Sequence, residues 1–377
     1  MSEARRFIDA FTLQGLPGVG PARFRALVDH FGSPAAALDA SAADVAAVAE
    51  MSTGAAPGSL ARAMASGAEG AAERSGALRH ALEVREQCAS AGIAAIVYGT
   101  PDYPAPLCHL KDPPPVLFAL GRTGLLRRRG AAIVGSRRAT AYGRRVARGL
   151  GASFAAQGRC VVSGMAMGID AEAHRGALPG PTAAVLGSGV DVVSPPRNRT
   201  LYGKIVEYGV VVSEFAPGVR AEAHHFPRRN RIIAALASDV IIVEASRRSG
   251  ALITAEVALD LGREVHAVPG PIDRPTSAGT NRLIADGAAI IVEIGPVDGM
   301  REAVTLPEDP DLRELLSALP ASPVTVDEAA RLSARDPEEV GPLLTILEIR
   351  GFLTPTRDGR VMRTPGRGGM TVREGAA

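Results

Sequence analysis

The decapeptide Ala131-Ala-Ile-Val-Gly-Ser-Arg-Arg-Ala-Thr140 decides the fold. Four apolar residues in a row run into a Gly-Ser-Arg turn, and helical periodicity begins at about Thr140. An apolar run without polar alternation is the signature of a strand buried on both faces. The same run recurs as Cys160-Val-Val, Ala183-Ala-Val-Leu, Val210-Val-Val, Val240-Ile-Ile-Val, Val265-His-Ala-Val and Ile290-Ile-Val. Helical stretches separate most of these runs. Buried strands alternating with helices predict right-handed crossovers and a mostly parallel sheet. The reading is α/β: a Rossmann-like, doubly wound domain over about 115–297. In that architecture ligands sit beyond the carboxyl ends of the strands, near helix N-termini.

Outward from this domain the pattern changes. Residues 1–85 read as short Ala-rich helices broken by Gly and Pro, with Met51–Gly70 poor in large apolar side chains and read as loosely packed. Within them, Leu16-Pro-Gly-Val-Gly-Pro-Ala-Arg-Phe-Arg-Ala-Leu27 suits a helix-hairpin-helix (SAM-like) turn offering amides to a phosphate, or a plain helical pair. Asp102-Tyr-Pro-Ala-Pro and Asp112-Pro-Pro-Pro are stiff punctuation. After Pro296 a polar linker reaches about Pro310. Residues 311–363 then give three helices (Leu312–Leu319, Val326–Leu332, Pro337–Arg350) and a hairpin around Arg357-Asp-Gly, a winged-helix outline. The tail Gly366–Ala377 reads as disordered.

Composition narrows the function classes. The chain has 377 residues, 46% hydrophobic and 22% charged, enough to bury a large core. Three scattered cysteines make no disulfide framework, and no Cys/His spacing suggests a metal or other cofactor. The N-terminus lacks the apolar run of a signal peptide, and no stretch approaches a membrane span, so a cytoplasmic location is expected. Net charge is only +2, but residues 116–231 carry 18 Lys+Arg against 6 Asp+Glu, leaving −10 for the rest. Such asymmetry predicts a segment that meets polyanions.

Five loops carry candidate chemistry. In Gly135-Ser136-Arg137, glycine permits close approach, serine can bond a phosphate oxygen and arginine offers a bidentate fork. The spacing is neither a Walker loop nor Gly-x-Gly-x-x-Gly, which argues against an ATP-driven motor. In Ser163-Gly-Met-Ala-Met-Gly-Ile-Asp170-Ala-Glu172-Ala-His174, the two acids and histidine suit acid–base work. The competing reading, favoured because no nucleophile accompanies them, has Asp170 bracing the loop and His174 packed in a helix. His224-His225-Phe226-Pro-Arg228-Arg229-Asn230-Arg231 interleaves cations with an aromatic, a pattern better suited to single-stranded than to duplex nucleic acid. Ser249-Gly250 opens a helix whose amides attract phosphate, and Gly279-Thr-Asn281 opens another; ordinary capping also explains both. In the winged-helix outline, 7 Lys+Arg face 9 Asp+Glu over 311–363, and Glu338, Glu339 and Glu348 lie on the third helix. An acidic helix does not suit a phosphate-lined groove, so the module reads as a protein contact.

In this order the motifs resemble the DNA-processing protein A family (DprA, also called Smf). The carrying residues are Gly135-Ser-Arg137, Ser163 to Asp170, Phe226-Pro-Arg-Arg-Asn-Arg-Ile-Ile233, Ser249-Gly-Ala-Leu-Ile-Thr254 and Gly279-Thr-Asn281. The family usually has Tyr-Pro at Ser194-Pro195 and Gly-Leu-Ser at Ala235-Leu-Ala237. The resemblance implies a homodimer without catalytic activity that binds and shields incoming single-stranded DNA in natural transformation and loads the RecA recombinase onto it. It makes Gly135, Ser136, Arg137, Phe226, Arg228, Arg229, Asn230, Ser249 and Gly250 the DNA-site candidates. Lys204, Arg220 and His225 join them from local charge alone. The competing class is a nucleotide-binding hydrolase or phosphoribohydrolase-type enzyme using Asp170, Glu172 or Glu214 in the same cleft.

Overall fold

The computed structural model describes residues 2–53, 58–65, 67–294, 309–320, 323–350, 352–356 and 359–363. The expected linker over 297–308, the turn residues Arg357 and Asp358 and the tail Gly366–Ala377 lie outside the described residues. The chain divides into two compact units, Met1–Pro296 and Val297–Ala377.

In the first unit, nine strands form one sheet: β1 (Ala94–Val97), β2 (Val116–Gly121), β3 (Gly130–Val134), β4 (Cys160–Ser163), β5 (Thr182–Val185), β6 (Val210–Ser213), β7 (Ala237–Ile242), β8 (Glu264–Ala267) and β9 (Ala289–Ile290). Their order is β1-β2-β6-β5-β4-β3-β7-β8-β9. The run from β6 to β9 is parallel throughout, and β1 and β2 add an antiparallel margin. The seven apolar runs fall on β3 to β9. The chain builds outward from β3 through β4, β5 and β6, then returns across β3 to β7. That reversal makes the carboxyl ends of β3 and β7 the topological switch point.

The runs are apolar because helices cover both faces: Ile133, Val161, Val211, Val240 and Ile241 are fully buried, each worth roughly 1.5–3 kcal/mol over exposure. The helix Ala141–Ala156 shows the local logic. Thr140 caps it by accepting from Gly143 N (3.1 Å), and Val146, Ala147, Leu150 and Phe154 turn to the core. The N-terminal helices share that core, with Phe7 and Phe11 edge-on to Phe118 of β2 at 6.3 and 6.0 Å. The expectation of loose packing over Met51–Gly70 fails in the described part. Leu60 and Ala63 are fully buried and Met64 nearly so, because a few well-aimed apolar groups suffice for a short helix.

The second unit has helices Pro310–Ala318, Val326–Ser333 and Pro337–Ile349 and the hairpin β10 (Leu353–Pro355) and β11 (Val361–Arg363). Thr325 and Glu328 form a reciprocal capping box, while Asp309 and Asp336 cap the other helices. Leu312, Leu315, Leu316, Val340, Leu344, Leu347 and Leu353 form its own core. Among the described residues no helix is long and apolar enough to cross a membrane.

Candidate nucleic-acid interface

A pocket of about 320 Å³ opens at the switch point. Four separate stretches line it: Gly135 to Arg138 after β3, Ala166 and Asp170 after β4, Phe226, Pro227, Arg229 and Asn230 before β7, and Ser246, Ser249 to Ala251, Ile253 and Thr254 after β7. The Gly-Ser-Arg turn, the arginine-rich helix start and Ser249-Gly250 thus converge from over a hundred residues of sequence.

The turn is held by the neighbouring strand. Ser136 N donates to Glu244 O (2.8 Å), and the buried Glu244 carboxylate accepts from Thr140 N (2.9 Å) and from the Thr140 hydroxyl. A Cβ on Gly135 would lie 2.8 Å from both Glu244 O and Ile169 Cγ1. Its close approach is therefore to the protein's own backbone. The Ser136 hydroxyl accepts from Arg138 N (3.1 Å), which leaves its own proton for an outside acceptor. Gly168 locks the next loop on top at φ 81°, ψ −124°, and Ile169 N donates to Ser136 O (3.2 Å).

Arg137 is exposed, and its guanidinium stands 4.8 Å from the centroid of the half-buried Phe226 ring. The two residues meet as a cation–π pair at the mouth of the pocket. Asn230 reaches across to Gly250 O (3.4 Å), and Ser249 caps the helix Gly250–Asp260 by accepting from Ala251 N (3.3 Å).

The two adjacent arginines part company. Arg229 is buried at 4% exposure, donates to Val185 O (2.6 Å) and lines the pocket from below. Burial pushes its guanidinium down to about 10 and the Asp170 carboxyl up, each opposed by the charge of the other. Arg228 lies outside the pocket, donating to Glu214 (2.9 Å) over the Phe215 ring. His225 is buried, stacked on Phe215 at 3.9 Å and bonded to Gly187 O (3.0 Å). Lys204 lines a different groove, on the helix Arg199–Tyr208, and Arg220 is exposed on a loop away from the pocket lining.

The acid–base trio does not form a cluster. Asp170 accepts from Gly164 N (3.2 Å) and Ala166 N (3.4 Å), bracing the loop. Glu172 pairs with Arg148 and Arg175 (each 2.6 Å), and buried His174 meets Thr182 Oγ1 at 2.7 Å. Asn281 bonds both N and O of Gly270 (3.1 and 2.8 Å), a structural clasp. Sequence reasoning missed Glu244 as the anchor of the turn, and Ser246, Ile253 and Thr254 as lining. The acid that ends the Val240-Ile-Ile-Val run was the available signal.

Comparison with known proteins agrees with this architecture. A family model described as DNA recombination-mediator protein A matches residues 94–298, and a DprA winged helix domain matches 301–367. The Escherichia coli protein Smf is 37% identical over 278 residues, covering 69% of this chain and 74% of its own. The X-ray structure of DNA processing protein A from Streptococcus pneumoniae superposes with a TM-score of 0.62 at 30% identity, covering 74% of this chain and 93% of that one. A Helicobacter pylori DNA processing protein A, solved for its single-stranded DNA binding mode, gives a TM-score of 0.50 at 31% identity over 54% of this chain and 92% of that one. The chain belongs to the DNA recombination-mediator protein A family, the DprA or Smf proteins.

Proposed function

We propose that the switch-point pocket binds single-stranded DNA and holds it without cutting it. The observation that carries the reading is the convergence of Ser136, Arg137, Phe226, Asn230, Ser249 and Gly250 on one concave surface. Arg137 supplies a phosphate fork and the Ser136 hydroxyl a donor. The helix start at Ser249-Gly250 favours negative charge, and Phe226 gives a base a ring to stack on. Buried Arg229 shares the floor of the pocket with Asp170, so the exposed positive charge is that of Arg137 at the mouth. The Helicobacter relative's single-strand binding supports the same assignment here. Against hydrolysis stands the engagement of every candidate acid: Asp170 braces a loop, Glu172 holds two arginines, and Glu214 holds Arg228 and Arg231.

Family membership extends the proposal to a cytoplasmic protein that protects incoming strands in natural transformation and loads RecA onto them as a homodimer. Among the described residues no strand lies beyond β9, and this edge, with Ile290 and Val292 exposed, suits pairing between two copies. Fluorescence anisotropy with a labelled oligothymidine, challenged by unlabelled single strand or duplex, tests the central claim. Preferential displacement by single strand is expected, and equal displacement contradicts it. Isothermal titration with mononucleotides addresses the enzyme class, since turnover there would overturn the non-catalytic reading. A RecA pull-down with and without DNA addresses the loading step.

A further inference from the structure

A second cationic concavity lies apart from the pocket. This open groove of about 760 Å³ is lined by Arg148, Arg175, Arg197 and Lys204 together with Thr200 and Tyr208. Glu207 also lines it, and Glu172, only 10% exposed, lies beneath Arg148 and Arg175 and holds both guanidiniums at 2.6 Å. The carboxylate fixes two planar forks side by side while their remaining N–H groups stay outward. Arg197 and Lys204 have no carboxylate partner among the described residues, and both are exposed. Thr200, Lys204 and Tyr208 sit one turn apart on one face of the helix Arg199–Tyr208. Four cations against two carboxylates, one of them spent on holding a pair of those cations, make a surface for a chain of phosphates.

The groove is tied to the pocket. The loop Gly164–Gly168 walls the pocket through Ala166, and on its other side Met165 O accepts from Asn198 Nδ2 (2.8 Å), next to Arg197. One hydrogen bond therefore ties a wall of the pocket to the residue that follows Arg197 of the groove.

We infer that the groove is a phosphodiester track, in which a strand leaving the pocket over Ala166–Gly168 lies along Arg197, Lys204, Arg175 and Arg148. The inference rests on the proposed pocket function and names the longer ligand that the protein takes. No base-stacking side chain is needed in the groove, so its contribution is electrostatic and indifferent to sequence.

The test uses the full chain, anisotropy over a salt series, and oligothymidines of about 6 and about 24 nucleotides, which bracket the roughly 4–16 nucleotides of known single-strand modules. The variant Arg197→Gln/Lys204→Gln removes two exposed charges that anchor nothing. It is expected to hold the short probe within about twofold of wild type. Its log K against log salt slope on the long probe should shrink by roughly 1.4, two phosphates at about 0.7 each. A long-probe slope equal to wild type overturns the track, and so does an equal loss on both probes. Failure of the pocket reading has a different signature: the wild type itself ignores the short probe.

Discussion

Replacing Arg137 by alanine separates two contributions that the proposed site gives to one side chain. The guanidinium is exposed at the pocket mouth, so its phosphate contact is dominated by counterion release, with a slope of about 0.7 per phosphate on single strands. Between a reference of about 1 M salt and about 0.15 M, that slope corresponds to roughly a fourfold loss of affinity. The same guanidinium covers Phe226 at 4.8 Å, a contact worth about 0.5–1 kcal/mol at an exposed site. Once it is gone, an entering base displaces nothing, and the affinity extrapolated to 1 M salt should hold or rise by up to about fivefold. Phe226→Ala should do the opposite, leaving the slope and costing about 1–3 kcal/mol at every salt concentration. The chain contains no tryptophan, so 2-aminopurine in the oligonucleotide reports stacking without protein background. If Arg137→Ala binds with an unaltered slope, Arg137 does not meet a phosphate and the assignment of the pocket mouth is wrong.

Three further outcomes are expected. In Gly168→Ala, the new Cβ would lie 2.3 Å from Ser136 O at a backbone angle of φ 81°; urea denaturation should show a loss of about 2–4 kcal/mol together with weaker DNA binding, and a change below about 0.5 kcal/mol would remove the interlock. Glu244→Ala removes the acceptor of both Thr140 N (2.9 Å) and the Thr140 hydroxyl; a loss of about 1.5–3 kcal/mol and reduced oligonucleotide affinity are expected, and binding at wild-type strength would show that the turn holds without it. Burial, aided by the Arg229 charge, holds the His174 imidazole down at about 3 against 6.5 when unfolded. This group therefore leaves stability unchanged above 6.5 and lowers it progressively as pH falls toward 3, by about 2 kcal/mol at pH 5. Chemical denaturation at pH 7 and pH 5 should show that difference in wild type and not in His174→Gln.

The sheet was legible because its strands are buried on both faces, which removes polar alternation and leaves runs such as Val240-Ile-Ile-Val standing out from Ala-rich helices. β1 and β2 were harder to see. They join antiparallel at the margin, on either side of the proline-rich stretch 101–115 that reads as mere punctuation. The convergence of the loops was legible only in part: Gly-Ser-Arg, Phe226, Arg229, Asn230 and Ser-Gly line one pocket, while Arg228 does not. What linear sequence could not resolve was direction. Arg228 and Arg229 are neighbours, yet a helix rotates successive residues by about 100°, so one turns under the pocket and the other out to Glu214. Lys204 and Arg220 entered on local charge, which carries no information about which cavity a cation faces.

The grip of Glu244 on Thr140 has a consequence for anyone wishing to transplant this site. The Gly-Ser-Arg turn follows one strand and its clamp the strand beside it, with about a hundred residues and three other strands between them in sequence. A graft of 135–140 onto a foreign parallel sheet would dangle unless a carboxylate travelled with it on the adjoining strand. The portable module is the strand pair, and any host must already run its chain in the same order.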